Sequence, residues 1–237
     1  MSTYFPIQLP SRCLPYAEVK PEDITIRPYC GEDEIFLAQI SHVNLERNFL
    51  SVLKRILQGL DPKQLTLGDR QYIVIWEYIN SYSEYVRVNA MCGKCLELAE
   101  FNVDLRTLNV MKLPEDFKQP QEVQLPISKE KAQLKLLTVG DKVESERLLE
   151  KGADTYLYEC ACSVVCADPL AQAEIMKSWH AKDIARVRLF QEQNKHGPLM
   201  LKSIKCPLCE EEVQIPVPFR RDYFFPTGET LRDCFRA

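Results

Sequence analysis

Long apolar runs are missing from this 237-residue chain, and nothing in it approaches 18 consecutive apolar residues. A helical membrane span is therefore not expected. The opening MSTYFPIQLPSR has no basic stretch followed by an apolar one, so no secretory leader is expected and the compartment reads as reducing. Positive charge is not in excess either: the formal net charge is −4 and the pI about 5.6. A non-specific nucleic-acid binder is usually basic, because neutralised phosphates supply most of its affinity. A local basic patch stays open. Glycine is scarce, with eight residues, and no P-loop, G-x-G-x-x-G or G-x-S-x-G is present. Only three histidines exist, His42, His180 and His196, none in an H-E-x-x-H setting. No catalytic constellation emerges, and the chain reads as a non-enzyme.

Cysteine is what the chain has in quantity: ten, within an ordinary globular balance of 46% hydrophobic and 27% charged residues. In a reducing compartment that number argues against a disulfide framework. Two pairs share one spacing, Cys92 with Cys95 in MCGKC and Cys206 with Cys209 in KCPLC. Each lies between alternating apolar segments, YVRVNA and LELAEFNVDL for the first, LMLKSI and EEEVQIPVPF for the second. Such segments predict a strand on either side of a tight turn, with Gly93 and Pro207 at turn positions. A redox CxxC starts a helix, whose N-terminus acidifies the thiol. A CxxC at a hairpin tip is a zinc knuckle, and two knuckles supply the four thiolates of a closed tetrahedral site. The expectation is one structural zinc per chain, held by Cys92, Cys95, Cys206 and Cys209; a redox pair and simply buried thiols remain alternatives. The 110 residues between the pairs far exceed the roughly 15–20 of an ordinary zinc ribbon.

An internal repeat accounts for the distance. Asp69 lies 23 residues before Cys92, and Asp183 lies 23 residues before Cys206. Asp69 opens DRQYIVIWEYI, with Tyr72, Ile75, Trp76 and Ile79 at helical spacing and Gly68-Asp69 as the N-cap; Asp183 opens the helical segment DIARVRLFQEQ. Upstream, QLPSRCLPY parallels VQLPISKEK, and ITIRPYCGEDEIFLAQ parallels LKLLTVGDKVESERLL, each a strand, a Gly-acidic turn and a helix. The expected fold is α+β: two pseudo-twofold related copies of a helix plus knuckle hairpin, residues 1–112 and 127–237, joined through one zinc-ribbon-like site. The proline- and charge-rich KLPEDFKQPQEVQLP supplies the linker at 113–126.

Other features read as packing. CACSVVC places Cys160, Cys162 and Cys166 at a spacing that suits no standard metal site, so burial is expected, as for Cys13, Cys30 and Cys234. Asp168-Pro169 predicts a cap and first turn for LAQAEIMKSW. NLERNFLSVLKRILQGL carries Phe49, Leu53, Ile56, Leu57 and Leu60 on one face and reads as a core helix. Glu97, Glu100 and Glu210 to Glu212 flank the knuckles and would repel phosphates. The tail FRRDYFFPTGETLRDCFRA, rich in aromatics, is either a last core strand or an interface built on Tyr223, Phe224 and Phe225.

Taken in order, LPSRCLPY, ITIRPYCGEDEIFL, the helical LGDRQYIVIWEYINSYSEY, CGKC, VDL, CPLC and VPFRRDYFFP resemble the T-even-type bacteriophage baseplate protein family. Its best-known member acts in assembly of the baseplate hub. The resemblance implies a non-enzymatic tail component or assembly factor of a contractile-tailed phage, binding other tail proteins. It carries the thiol pairs over as Cys92, Cys95, Cys206 and Cys209, and puts the protein in the virion baseplate or in the host cytoplasm during assembly. Two competing functions predict different behaviour: a zinc-ribbon nucleic-acid-binding regulator would bind DNA or RNA in a salt-dependent way, and a thiol redox enzyme would lose activity but not its fold when the thiols are replaced.

Overall fold

The computed structural model describes residues 3–39 and 44–218. Strands β1 (Phe5–Pro6) and β2 (Thr25–Ile26) come first, followed by helix α1 (Gly31–Gln39) and helix α2 (Leu45–Ile56). α2 buries Phe49, Leu50, Val52, Leu53 and Ile56, the apolar stripe of a core helix. It stops earlier than its apolar spacing predicts. Leu57 and Gln58 form β3 (Leu57–Gln58), which pairs with β2 in an antiparallel β1-β2-β3 sheet. Leu57 and Leu60 are buried from the strand and the turn beyond it, not from a helix.

Helix α3 (Leu67–Ser81) corrects the expected cap. Thr66, not Gly68-Asp69, is the N-cap, and its hydroxyl accepts the Asp69 amide at 3.4 Å. The Asp69 side chain is engaged outside the helix, accepting the Ser11 amide at 2.9 Å and the Tyr16 hydroxyl. The deepest apolar residues are Ile73, Val74, Ile75 and Tyr78, while Tyr72, Trp76 and Ile79 are half-buried. β4 (Tyr85–Met91) and β5 (Leu98–Asp104) follow as the expected hairpin, in register from Tyr85↔Asp104 to Met91↔Leu98. Val86 and Val88 on one strand and Ala99, Phe101 and Val103 on the other point inward, the two-residue period of a half-buried ribbon.

After β6 (Val110–Met111), the span 113–126 buries Leu113, Phe117, Val123 and Leu125 and contains β7 (Gln121–Gln124), which pairs with β8 (Lys131–Leu134). α4 (Val139–Glu150) starts at a capping box of Thr138 and Asp141. α5 (Tyr156–Cys162) buries Cys160 and Cys162, as expected, and Cys166 is half-buried. α6 (Pro169–Met176) opens on the expected Asp168 cap, whose carboxylate accepts the Leu170 amide at 2.9 Å, and ends short of Trp179. α7 (Ala181–Gln193) begins two residues ahead of Asp183, because His180 Nδ1 accepts the Lys182 amide at 3.1 Å and caps it. β9 (Gly197–Pro198) pairs with β6, and β10 (Leu201–Lys205) with β11 (Glu212–Pro216) makes the second expected hairpin.

The buried side chains form two cores. One gathers Ile7 to Leu108 together with Val139, Cys206, Val213, Ile215 and Val217; the other lies within Leu113 to Phe190. The second hairpin thus packs against the first core. Between them, Thr66 and Thr138 form an antiparallel bridge and the Val139 amide donates to the Leu65 carbonyl at 2.8 Å. α4 also reaches α2: Glu146 accepts the Glu46 and Arg47 amides at 2.9 and 3.1 Å. It supplies the cap that Asn44 does not provide. Among the described residues no helix is long and apolar enough to cross a membrane.

Candidate metal centre

Both hairpin tips are built alike. In the first, the Cys92 amide donates to the Glu97 carbonyl and the Leu96 amide to the Cys92 carbonyl, each at 2.9 Å. In the second, the Cys206 amide donates to the Glu211 carbonyl and the Glu210 amide to the Cys206 carbonyl, again at 2.9 Å. The residue after the second cysteine takes a left-handed backbone in both, Leu96 at φ 61° and Glu210 at φ 62°. That turn directs the two thiols of each pair to the same side.

The structure brings all four predicted ligands together. The Sγ atoms of Cys92, Cys95, Cys206 and Cys209 lie within 4.8 Å of one another, with Cys92–Cys209 at 3.8 Å and Cys95–Cys206 at 4.0 Å. A tetrahedral zinc–thiolate site with bonds of about 2.3 Å spaces its sulfurs about 3.8 Å apart, so the cluster could hold such an ion. The separations are far from a disulfide at about 2.05 Å, and nine cysteines among the described residues are free. Neither pair begins a helix, as a dithiol oxidoreductase would require. Cys92 and Cys206 are buried, and Cys95 and Cys209 half-buried.

The local electrostatics suit a cation. Amides of Cys95 and Lys94 hydrogen-bond the Cys92 sulfur and bring its pKa down to about 6. The Glu97 amide favours the Cys95 thiolate, but burial and the neighbouring thiols outweigh it and push that pKa up to about 12. Cys209 is raised in the same way against the Glu211 amide. Crowded thiols resist joint ionisation, and a divalent cation removes that obstacle as it displaces their protons. An ion bound by all four thiolates would have a complete shell, with no position for a substrate.

The remaining candidates fall elsewhere. Cys13 is buried, and Cys30 donates to the Asp33 carboxylate at 3.2 Å. Tyr223, Phe224, Phe225, Cys234 and His42 lie outside the described residues. One polar constellation was not anticipated. Behind the α3 N-terminus, Asp69 binds Ser11 and Tyr16, and Thr66 Oγ1 lies 2.6 Å from His196 Nε2. All five residues are buried. A threonine three residues before an aspartate, T-x-x-D, is the capping signal that could have located it.

Asp183 serves the second half in a comparable way, accepting the Ile127 and Ser128 amides at 2.8 and 3.1 Å. Like Asp69, it is the third residue of its helix. No curated protein and no solved structure matches the chain. A family model does, and its span takes in both CxxC pairs together with Asp69 and Asp183. That model, the T4 bacteriophage base plate protein, matches residues 11–226, and the chain belongs to this family.

Proposed function

We propose that the protein is a structural or assembly component of a contractile-tailed phage baseplate, working through contacts with other tail proteins. The family match over residues 11–226 carries this reading, since the family is one of baseplate components and generally not of enzymes. A zinc ion held by Cys92, Cys95, Cys206 and Cys209 ties the two knuckle hairpins together as a purely structural clamp. It closes a loop of more than a hundred residues that would otherwise cost entropy.

The chain is two copies of one unit, residues 1–112 and 127–237, arranged with the ion near a pseudo-twofold axis. Equivalent hydrogen bonds at the two tips support the duplication. So do Asp69 and Asp183, each accepting the amide directly after a QLP stretch, Ser11 and Ile127. Exposed Glu97, Glu100, Glu210, Glu211 and Glu212 around the knuckles oppose the nucleic-acid alternative.

Mass spectrometry of purified virions and of tail-assembly intermediates tests the reading. The expected result is the protein in one or both, carrying about one zinc per chain by metal analysis. Its absence from virions and intermediates alike would overturn the assignment. Presence only in intermediates would identify an assembly factor rather than a virion part.

A further inference from the structure

The four sulfurs sit between two hairpin tips whose outer side chains are unusually apolar. Met91 is 67% exposed, Leu96 and Leu98 each 70%, and Leu208 59%. Met91 and Leu98 face one another at the last rung of the β4–β5 ladder. Leu96 follows Cys95 directly, and Leu208 directly precedes Cys209. All four therefore lie on the two tips that the thiols bring together. Isolated exposed leucines are ordinary, but several gathered at one rigid point mark an interaction surface.

The rim of that surface is net acidic. Glu97, Glu210 and Glu211 are exposed at the same two tips and outnumber the exposed Lys94 and Lys205. Two copies of the chain packed tip to tip would bring two net-acidic rims together, a poorer match than a basic border. Nucleic acid would meet the same repulsion. The complementary partner is a protein surface with an apolar centre and a lysine- and arginine-rich border.

We infer that the paired knuckle tips form a docking surface, Met91, Leu96, Leu98 and Leu208 at its centre, for another tail protein with a basic-bordered apolar patch. This rests on the baseplate reading and adds to it the face by which the chain is recruited. The fixed geometry of the clamp presents the side chains without ordering cost, the condition under which a small contact binds well.

The test uses the full-length protein produced during infection, with a photo-crosslinking phenylalanine analogue at Leu98, at Leu208, or at Leu149 as control. Leu149 is 62% exposed on α4, away from the tips in sequence. Expected are adducts from Leu98 and Leu208 to another tail protein, at a peptide bearing apolar residues beside lysine or arginine, with yield at Leu149 at least about tenfold lower. Glu210→Lys combined with Glu211→Lys should lower the adduct yield by roughly tenfold while zinc content and melting temperature hold. Adducts to a second copy of the chain, adducts to nucleic acid, or equal yields from all three positions would overturn the inference. If the protein co-purifies with tail intermediates but Leu98 and Leu208 give no adduct, the docking surface is wrong and the baseplate reading stands. If it co-purifies with no tail species, both fall.

Discussion

His196 Nε2 lies 2.6 Å from Thr66 Oγ1, joining the strand entry after α7 to the residue that caps α3. The contact brings two backbones so close that neither adjoining glycine has room for a side chain. A Cβ on Gly68 would lie 2.4 Å from the His196 carbonyl oxygen, and one on Gly197, at φ 97°, would lie 2.5 Å from that of Gly68. Gly68→Ala should therefore destabilise the protein by about 3 kcal/mol, because backbone rather than a flexible side chain must give way. Urea unfolding measures it; a change within 0.5 kcal/mol, the usual range of a surface substitution, would show that the junction yields easily.

Cys92→Ser and Cys206→Ser remove ligands from opposite hairpins of one proposed zinc site. Each should cost at least about 3 kcal/mol and lower a single shared melting transition by roughly 6–12 °C, with loss of bound metal. Calorimetry alongside metal analysis decides. A variant with full zinc content and unchanged melting would refute the clamp.

Asp33 is nearly inaccessible and binds Arg27 and Arg55, with nitrogen–oxygen distances of 2.5 and 2.8 Å. Burial alone would raise its pKa, but the hydrogen bonds from both guanidinium groups outweigh that and hold it well below the carboxylate range. A depressed folded-state pKa gives stability that is complete above about pH 4 and declines as pH falls further. Asp33→Asn should remove that acid-side slope. It should also cost about 3–5 kcal/mol at pH 7, since it leaves the buried Arg27 uncompensated. Denaturant titrations at several pH values would reveal both effects.

Glu77 behaves oppositely. It is buried on α3, with Oε1 unpartnered and the Ser81 hydroxyl donating to Oε2, and burial pushes its pKa up to about 8. The neutral form suits the fold, so stability is full below about pH 4.3 and falls as pH rises toward 8. Glu77→Gln should match the parent at pH 4 and exceed it at pH 8 by on the order of 3 kcal/mol. Parallel stability curves for the two proteins from pH 4 to 8 would contradict this.

Glu146 caps a helix to which it does not belong. Glu146→Ala should free the Glu46 and Arg47 amides and cost about 1–2 kcal/mol. Hydrogen exchange at those two amides should speed up ahead of the rest of α2. Unchanged protection there would mean that water or a neighbour replaces the carboxylate.

The four-cysteine cluster was legible because residue type, spacing and hairpin context all coincide at Cys92, Cys95, Cys206 and Cys209. The hairpins themselves follow from alternation around each pair. Alternation names the buried face of a strand but not what that face meets, so nothing in VQIPV revealed that Val213, Ile215 and Val217 join the first core. The end of α2 was hidden for a related reason. Leu57 continues the helical spacing, and only its distant partner Ile26 in β2 makes it a strand residue. Gly68-Asp69 yields the expected cap position to Thr66 because the Asp69 carboxylate is drawn to Ser11 and Tyr16, more than fifty residues upstream. Composition made 113–126 look like a tether, yet Phe117 and Leu125 are buried, since a few well-spaced apolar residues outweigh many prolines and charges.

The placement of the last hairpin also sets an order of events during synthesis. Val213, Ile215 and Val217 are buried members of the first core. At about 5–20 residues per second, the ribosome needs roughly 5–20 s to travel from the first thiol pair to the second. Throughout that interval the early-made half waits with part of its interior uncovered. Strands β10 and β11 close it as they emerge.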